Sequence, residues 1–298
     1  MKKKIKAILE NGLGINDLRD RVNTLYFFLN EYVDITSIPP TKNPDLRIMQ
    51  QCDSLLLALF DKMCKKLGMT YWLTYGTLLG AVRHKGFIPW DDDMDVAMPR
   101  EEYNRLEEVL NQELVPLGIE LYPRPTGPTL GMGFEHFKTG IWLDVFPVDT
   151  YASSKSLDEA GDDLRKKVKE YQDYYFAKKD SGLKNSDFDA YRRSLLSEEG
   201  PEKVIYHCLE YSPEEVFLYR EQDVFPLENI EFEGYSFPAP GHYRAYLEQM
   251  YGDYMAFPKS GVLIHDLGRG HLHTWARKSG TDMKEVEKRL RSMVENYR

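Results

Sequence analysis

Cysteine is nearly absent from this chain. Cys52, Cys64 and Cys208 are its whole complement, odd in number, far apart and without a C-x-x-C pair. That argues against a disulfide framework and a zinc knuckle, and leaves buried thiols as the expectation. Long apolar runs are missing too: no segment approaches the roughly 18 to 20 residues that span a bilayer. Met1-Lys2-Lys3-Lys4 imitates the basic start of a leader, but IKAILENGLG offers neither an apolar run nor a small-residue cleavage site. A cytoplasmic location is the expectation. Positive charge is in deficit, with 39 Lys and Arg against 48 Asp and Glu and a net charge of -9. This opposes general nucleic-acid binding, which needs a basic excess, and leaves room for a local basic pocket around one small anion. There is no internal repeat, no low-complexity segment, no Walker A loop and no G-x-G-x-x-G.

What is present is ordinary globular composition: 298 residues, 42% hydrophobic and 29% charged, enough for one large domain or two modest ones. Residues 1–45 read as a helical arm, with apolar positions along one face of LRDRVNTLYFFLNEYV and a break at Pro39-Pro40. Packing or oligomerisation is its expected role. From Met49 through Leu56, Leu59, Phe60, Met63 and Leu67 the apolar positions recur at helical spacing, and Gly68 is placed to end that helix. MTYWLTY reads as a strand ending at Gly76, and TLLGAVRHK as a short helix capped by Thr77 and stopped by Gly86. DDDMDVAM reads as a second strand. After Pro99 an amphipathic helix follows, with Tyr103, Leu106 and Leu110 facing inward. GIWLDVFPVD, residues 140–149, is a further strand.

Beyond it the pattern turns mostly helical: DLRKKVKEYQDYYFAKK, PEKVIYHCLEY starting at Pro201, PGHYRAYLEQMYGDYM and TDMKEVEKRLRSMVENY, with a hairpin around Gly234 in NIEFEGYSF. The order implies an N-terminal extension over 1–45 and a single domain over 46–298. Within that domain the core lies at about 46–150 and the remainder, 151–298, is mostly helical.

The aspartates carry the chemistry. On a strand over 92–98, Asp93, Asp95 and Ala97 share one face, while Met94, Val96 and Met98 share the buried one. The two carboxylates then stand about 7 Å apart along the strand. They raise each other's pKa unless a cation lies between them, and hard oxygen donors suit Mg²⁺, Mn²⁺ or Ca²⁺ over zinc. Asp144, flanked by Leu143 and Val145, would project from an adjacent strand and supply a third ligand for phosphoryl transfer. Asp92 falls in the phase of the buried face, and Asp91 reads as loop.

Three other readings compete. One is a solvated acidic turn, against which the Met94/Val96/Met98 alternation counts. Another is an EF-hand, because Asp91, Asp93, Asp95 and Glu102 fall at loop positions 1, 3, 5 and 12; Val96 stands where its glycine belongs, and GFIPW is no helix. The third, a glycosidase carboxylate pair, fits the adjacent Gly-rich helix start less well than phosphate chemistry does.

Gly76-Thr77, where a strand hands over to a helix, suits an approaching phosphate, although the same dipeptide also makes an ordinary turn and cap. Arg83 or Lys85 can contact a diphosphate or pair with the nearby aspartates, and spacing does not rank these alternatives.

A strand ending in Tyr75-Gly76-Thr77, a short helix, Asp93-Met94-Asp95-Val96 and a later Leu143-Asp144-Val145 is similar to the layout of the nucleotidyltransferase superfamily. More narrowly, YGTLLGAVRHKGFIPWDDDMDVAM resembles the hallmark of the LicD family, which includes the fukutin-related proteins, and WLDVFPVD and YLEQMYGDYMAFP resemble its second and third signatures. The resemblance covers most of residues 46–258. It implies an α+β fold, with a nucleotidyltransferase-like mixed sheet core, surrounding helices and a helical C-terminal region. It also implies a metal-dependent transferase that moves phosphocholine from CDP-choline to a sugar hydroxyl of a surface glycan, with CMP leaving. Fukutin-type relatives use CDP-ribitol. CDP-glycerol as donor, or a silent nucleotide- or glycan-binding partner subunit, are the alternatives.

Carried onto this chain, Asp93 and Asp95 hold Mg²⁺ (or Mn²⁺), and Asp144 is the third ligand or the base. Gly76 and Thr77 cradle the diphosphate, and Arg83, His84 or Lys85 lie near its charge. The implied partners are a CDP-linked donor and a glycan or glycolipid acceptor. No nucleic acid and no transmembrane segment are implied, while peripheral membrane contact is compatible. Thr77 stands where the wider superfamily often has serine, with the hydroxyl kept.

Two features lie apart from the motifs. His265, His271 and His273 form the densest histidine cluster and read as a polar loop near the site rather than a zinc centre. Tyr246, Tyr251 and Tyr254 offer aromatic faces for cytosine or choline, or a core-facing helix stripe.

Overall fold

The computed structural model describes residues 14–123, 130–183, 185–196, 200, 202–207, 216–257 and 278–298. Cys208, Pro201 and the histidines at 265, 271 and 273 lie outside them.

The first described helix is α1 (Ile15–Tyr32), which buries none of its residues and ends ahead of Pro39-Pro40. Helix α2 (Pro44–Leu67) is built from local signals: the Asn43 side chain accepts from the amides of Asp45 and Leu46, Pro44 opens the first turn, and Gly68 ends the helix at φ 64°. Met49, Leu56, Leu59, Phe60 and Met63 are all at most 1% exposed, so this helix runs through the core rather than along its surface. Strand β1 (Trp72–Leu73) is short, and helix α3 (Tyr75–His84) begins two residues before the expected Thr77, with Thr74 at the N-cap. The residue that ends α3 in a left-handed conformation is Lys85, φ 54°, rather than Gly86. Strand β2 starts only at Asp95 (Asp95–Pro99), so Asp91–Met94 lead into it as loop.

Helix α4 (Arg100–Glu113) buries Leu106 and Leu110, as its amphipathic pattern dictates. Strands β3 (Ile119–Pro123) and β4 (Leu130–Phe134) and the single turn α5 (His136–Thr139) precede β5 (Trp142–Ser153), the longest strand. Helix α6 (Leu157–Lys178) opens with a reciprocal capping box between Ser156 and Glu159, and α7 (Asn185–Leu196) follows. The segment expected as a helix from Pro201 is instead strand β6 (Glu202–His207). Val204, Ile205 and Tyr206 are β-branched or aromatic, and they pair with the far half of β5. Strand β7 (Leu218–Arg220), the turn α8 (Glu221–Val224), the hairpin β8 (Glu228–Phe232) and β9 (Tyr235–Ala239) about Gly234, helix α9 (Tyr243–Tyr251) and helix α10 (Met283–Asn296) complete the fold.

The result is an α+β architecture around one mixed sheet. Its order is β1-β2-β5-β4-β3, with β6 and β7 extending the sheet from β5. Among the described residues only the β2–β5 pair is parallel, pairing Asp95 with Asp144 and Val96 with Val145. The main core gathers α2, β2, β4, β5, α9 and α10, and a satellite core forms where α6 covers β6 and β7 through Leu164, Val168, Tyr171 and Tyr206. Helix α10 lies along α2, where the Lys62 ammonium donates to the Val294 carbonyl at 2.5 Å.

Asp149, on β5, ties three elements together. Arg100 of α4 donates to it twice, at 3.0 and 2.7 Å, and Arg192 of α7 closes on its other side.

Candidate active site

The site forms where the loop before β2 meets the start of α3. The turn from β1 into α3 is made by Tyr75 in a left-handed conformation, φ 44°, which costs a non-glycine residue about 1–2 kcal/mol. Its ring is held edge-on to Phe146 at 5.1 Å. Gly76 follows, and a Cβ there would lie 2.7 Å from Asp91 Oδ2. Glycine is therefore what lets the Asp91 carboxylate sit over the first turn of α3, where the helix dipole favours negative charge. The N-cap Thr74 makes no capping bond; its hydroxyl meets that of Tyr246 at 2.9 Å. Thr77, 2% exposed, accepts the Asp95 amide on its Oγ1 at 2.8 Å. That bond joins α3 to β2 at the residue that carries a carboxylate.

Asp95 and Asp144 are direct partners across the parallel β2–β5 pair, and the Asp144 amide donates to the Met94 carbonyl at 2.9 Å. In-register neighbours on adjacent strands stand about 4.8 Å apart with side chains on one face. In the loop just upstream, Asp91, Asp92 and Asp93 offer carboxylate oxygens that all lie within 4.8 Å of one another. Asp92, Asp93 and Asp144 are 1%, 7% and 3% exposed. Burial pushes the Asp91 carboxyl well above the usual range, and the charges of Asp93, Asp95 and Asp92 push it further. An all-carboxylate donor set crowded to this degree fits a hard divalent cation.

The structure therefore gathers Gly76, Thr77, Asp93, Asp95 and Asp144, and adds Asp91 and Asp92. Strand alternation, extended into this loop where it does not apply, assigns Asp92 to the buried face, while Asp91 reads as loop, as the structure has it, and still joins the cluster. The sequence reading also missed Asp53 and Gln50 of α2. Asp53, 0% exposed, accepts the Trp142 amide on Oδ1 at 3.2 Å, and its Oδ2 is buried without a hydrogen-bond partner. Burial pushes the Asp53 carboxyl well above its usual range, the Trp142 bond opposes this, and the charges of Asp92 and Asp93 add to it. The Gln50 amide donates to the Asp91 carbonyl at 2.8 Å. Two polar residues on a buried helix give no sequence signal beyond their polarity.

The basic trio disperses. Arg83, 8% exposed, donates through Nε to the Tyr254 carbonyl at 2.6 Å and through Nη2 to the Ala256 carbonyl at 3.1 Å. Lys85 pairs with Glu231 of β8 at 3.4 Å, its side chain 74% exposed. His84 is half-buried, and burial, then the Arg83 charge, lowers its pKa. The tyrosines sort as well: Tyr246 and Tyr254 belong to the core at 0% and 9% exposure, while Tyr251 keeps 42%. The Tyr251 phenol is held above its ordinary range, by desolvation first and then by the charges of Asp95 and Asp91.

Residues 68–180 match the family described as LicD/FKTN/FKRP, nucleotidyltransferase domain. The lipopolysaccharide cholinephosphotransferase LicD of Haemophilus influenzae is 49% identical over 72 residues, 24% of this chain and 27% of that protein. Ribitol-5-phosphate transferase FKTN of Mus musculus is 33% identical over 76 residues, 26% of this chain and 15% of its own. Mannosyltransferase regulator 4 of Saccharomyces cerevisiae is 35% identical over 60 residues, 20% of this chain and 5% of its own. The similarity thus spans 27% or less of the length of each of these relatives.

Proposed function

We propose, from the match of residues 68–180 to the LicD/FKTN/FKRP nucleotidyltransferase-domain family, that the chain transfers phosphocholine from CDP-choline to a hydroxyl of a cell-surface glycan precursor. The observation that carries this reading is the register of β2 on β5, which sets Asp95 beside Asp144 with the Asp91–Asp93 loop at their end. Asp93, Asp95 and Asp144 are the residues assigned to hold Mg²⁺ (or Mn²⁺). A bound ion there supplies charge neutralisation on the transferring phosphate. The acceptor oxygen forms the new P–O bond, the bond to CMP breaks, and the acceptor proton passes to a carboxylate of the cluster.

Gly76 and Thr77 present the start of α3 to the diphosphate. The Thr77 hydroxyl, bonded to the Asp95 amide, sets the carboxylate rather than the donor. Arg83 is engaged by the Tyr254 and Ala256 carbonyls and Lys85 by Glu231, which leaves His84 as the member of the basic trio assigned to the donor's charge. Peripheral membrane contact is compatible with a glycolipid acceptor, and no helix among the described residues is long and apolar enough to cross a membrane.

The test is release of CMP from CDP-choline with a glycan acceptor present. Activity should vanish with EDTA, return with Mg²⁺, and be lost in Asp95→Asn and Asp144→Asn; full activity in those variants would sink the mechanism. Running CDP-ribitol and CDP-glycerol beside CDP-choline decides the head group, and similarity to a ribitol-phosphate transferase keeps CDP-ribitol in that comparison. A non-catalytic partner subunit is the second reading, favoured by similarity to a mannosyltransferase regulator. Calorimetric donor binding without turnover across an acceptor panel would support it instead.

A further inference from the structure

Helix α2 precedes residue 68, where the family match begins. Its buried length is apolar apart from Gln50, Asp53, Ser54 and Asp61, and the half-buried Arg47 precedes Gln50 and Asp53 at three-residue spacing. They sit on successive turns along one side of the helix. Each reaches a different segment around the site. Arg47 forks onto Glu233 of the β8–β9 hairpin at 3.0 and 2.7 Å, and its Nη1 donates to Gln50 Oε1 at 3.3 Å. Glu233 in turn accepts the Phe87 amide at 3.3 Å, holding the turn that leads toward the aspartates. Gln50 donates to the carbonyl of Asp91 itself. Asp53 accepts the amide of Trp142, at the start of the strand that carries Asp144, across 89 residues of sequence.

Gln50 and Asp53 are 1% and 0% exposed. A buried amide and carboxyl cost stability unless hydrogen-bonded, and apolar residues of similar shape would serve a core at least as well. What the polar pair does and an apolar pair would not is fix two carboxylate-bearing segments to one rigid rod. We propose that Gln50 and Asp53 are positioning residues: from a helix outside the matched domain they set the separation between the Asp91–Asp93 loop and Asp144. The proposal rests on the reading of that cluster as a divalent-cation site.

The experiment measures Mn²⁺ affinity by the free-ion electron paramagnetic resonance signal, with no turnover involved, beside thermal unfolding without metal. Wild type, Gln50→Met, Asp53→Leu, Asp53→Asn and Asp95→Asn are compared. Asparagine at 53 keeps an oxygen for the Trp142 amide, so Asp53→Asn should stay within about threefold of wild type. Gln50→Met and Asp53→Leu should lose about tenfold or more, as expected when the groups that orient metal ligands are removed. Their metal-free unfolding temperatures should not fall in proportion. Wild-type affinity in Gln50→Met and Asp53→Leu, together with lost affinity in Asp95→Asn, would overturn the positioning role and leave the metal site standing. Wild type that binds no Mn²⁺, or Asp95→Asn that binds as wild type does, would remove the underlying reading and the proposal with it. If Asp53→Leu does not fold, Gln50→Met decides alone.

Discussion

Replacing Gly76 with alanine separates what the site needs from what the fold needs. The backbone at 76 is not left-handed, so alanine is sterically allowed, and alanine is favoured over glycine within a helix by about 1 kcal/mol. The new methyl would stand 2.7 Å from Asp91 Oδ2 and 3.7 Å from its Cγ. A carbon and an oxygen in contact sit at about 3.3–3.6 Å, so the carboxylate must retreat by about 0.7 Å. The Asp91 backbone is not free to follow, because its amide donates to the Ile88 carbonyl at 2.9 Å and its carbonyl accepts from Gln50 at 2.8 Å. The side chain must rotate instead, at about 0.5–1.5 kcal/mol, which offsets the helix gain. Net stability should change by less than about 1 kcal/mol, a shift of about 2–4 °C in Tm. A displacement approaching 1 Å at the reacting centre costs about 100-fold in rate. The expected result is a Gly76→Ala protein that unfolds near the wild-type temperature and releases CMP about 100-fold more slowly. Wild-type turnover would refute the placement of Asp91 in the working site, and a large parallel drop in Tm would make Gly76 a packing glycine only.

Three further expectations concern the rest of the molecule. Asp149→Ala removes the counter-charge of Arg100 and Arg192 in a buried network and should cost about 3–5 kcal/mol in urea unfolding; a loss under about 1 kcal/mol would mean that water reaches those guanidinium groups. The Glu113 carboxyl is held below its ordinary 4.5 by Lys66 and then by the Tyr297 hydroxyl. A depressed folded pKa gives stability that is present above pH 4.5 and lost as pH falls through the folded value, so Glu113→Gln should lower stability modestly at neutral pH, converge with wild type in acid and thereby flatten the acid limb of the profile. On α1, Leu18 and Leu25 are 62% and 59% exposed. Leu18→Glu with Leu25→Glu should therefore alter stability by less than about 0.5 kcal/mol, and a loss above 1 kcal/mol in chemical denaturation would show that face to be covered.

Elements with local signals were legible from the sequence. Asn43, Pro44 and Gly68 bracket α2 by capping chemistry alone, Gly234 makes its hairpin, and the stripe of α4 faces inward as its spacing dictates. The adjacency of the strands carrying Asp95 and Asp144 was legible too, because each acid stands in an apolar run that must be buried in a sheet. Where the reading failed, the deciding contact was distant. KVIYH became a strand because β5 offers it an edge, and Pro201 invited a helix start. Arg83 looked like a phosphate ligand, and its carbonyl partners lie beyond residue 250. Gln50 and Asp53 resemble stray polar residues on a core helix until the loop they hold is seen in place.

Strand β5 bears on how the molecule assembles. One stretch of twelve residues pairs with β2, β4 and β6, and two of those partners lie far off in sequence. Contacts of such separation must overcome loop-closure entropy before they return any stability, so a chain dependent on them folds slowly. Asp95 and Asp144 become neighbours through this pairing and no other. The carboxylate pair thus forms only when β2 docks on β5. An assay sensitive to it, such as cation binding followed during refolding, would report the closing of the central sheet.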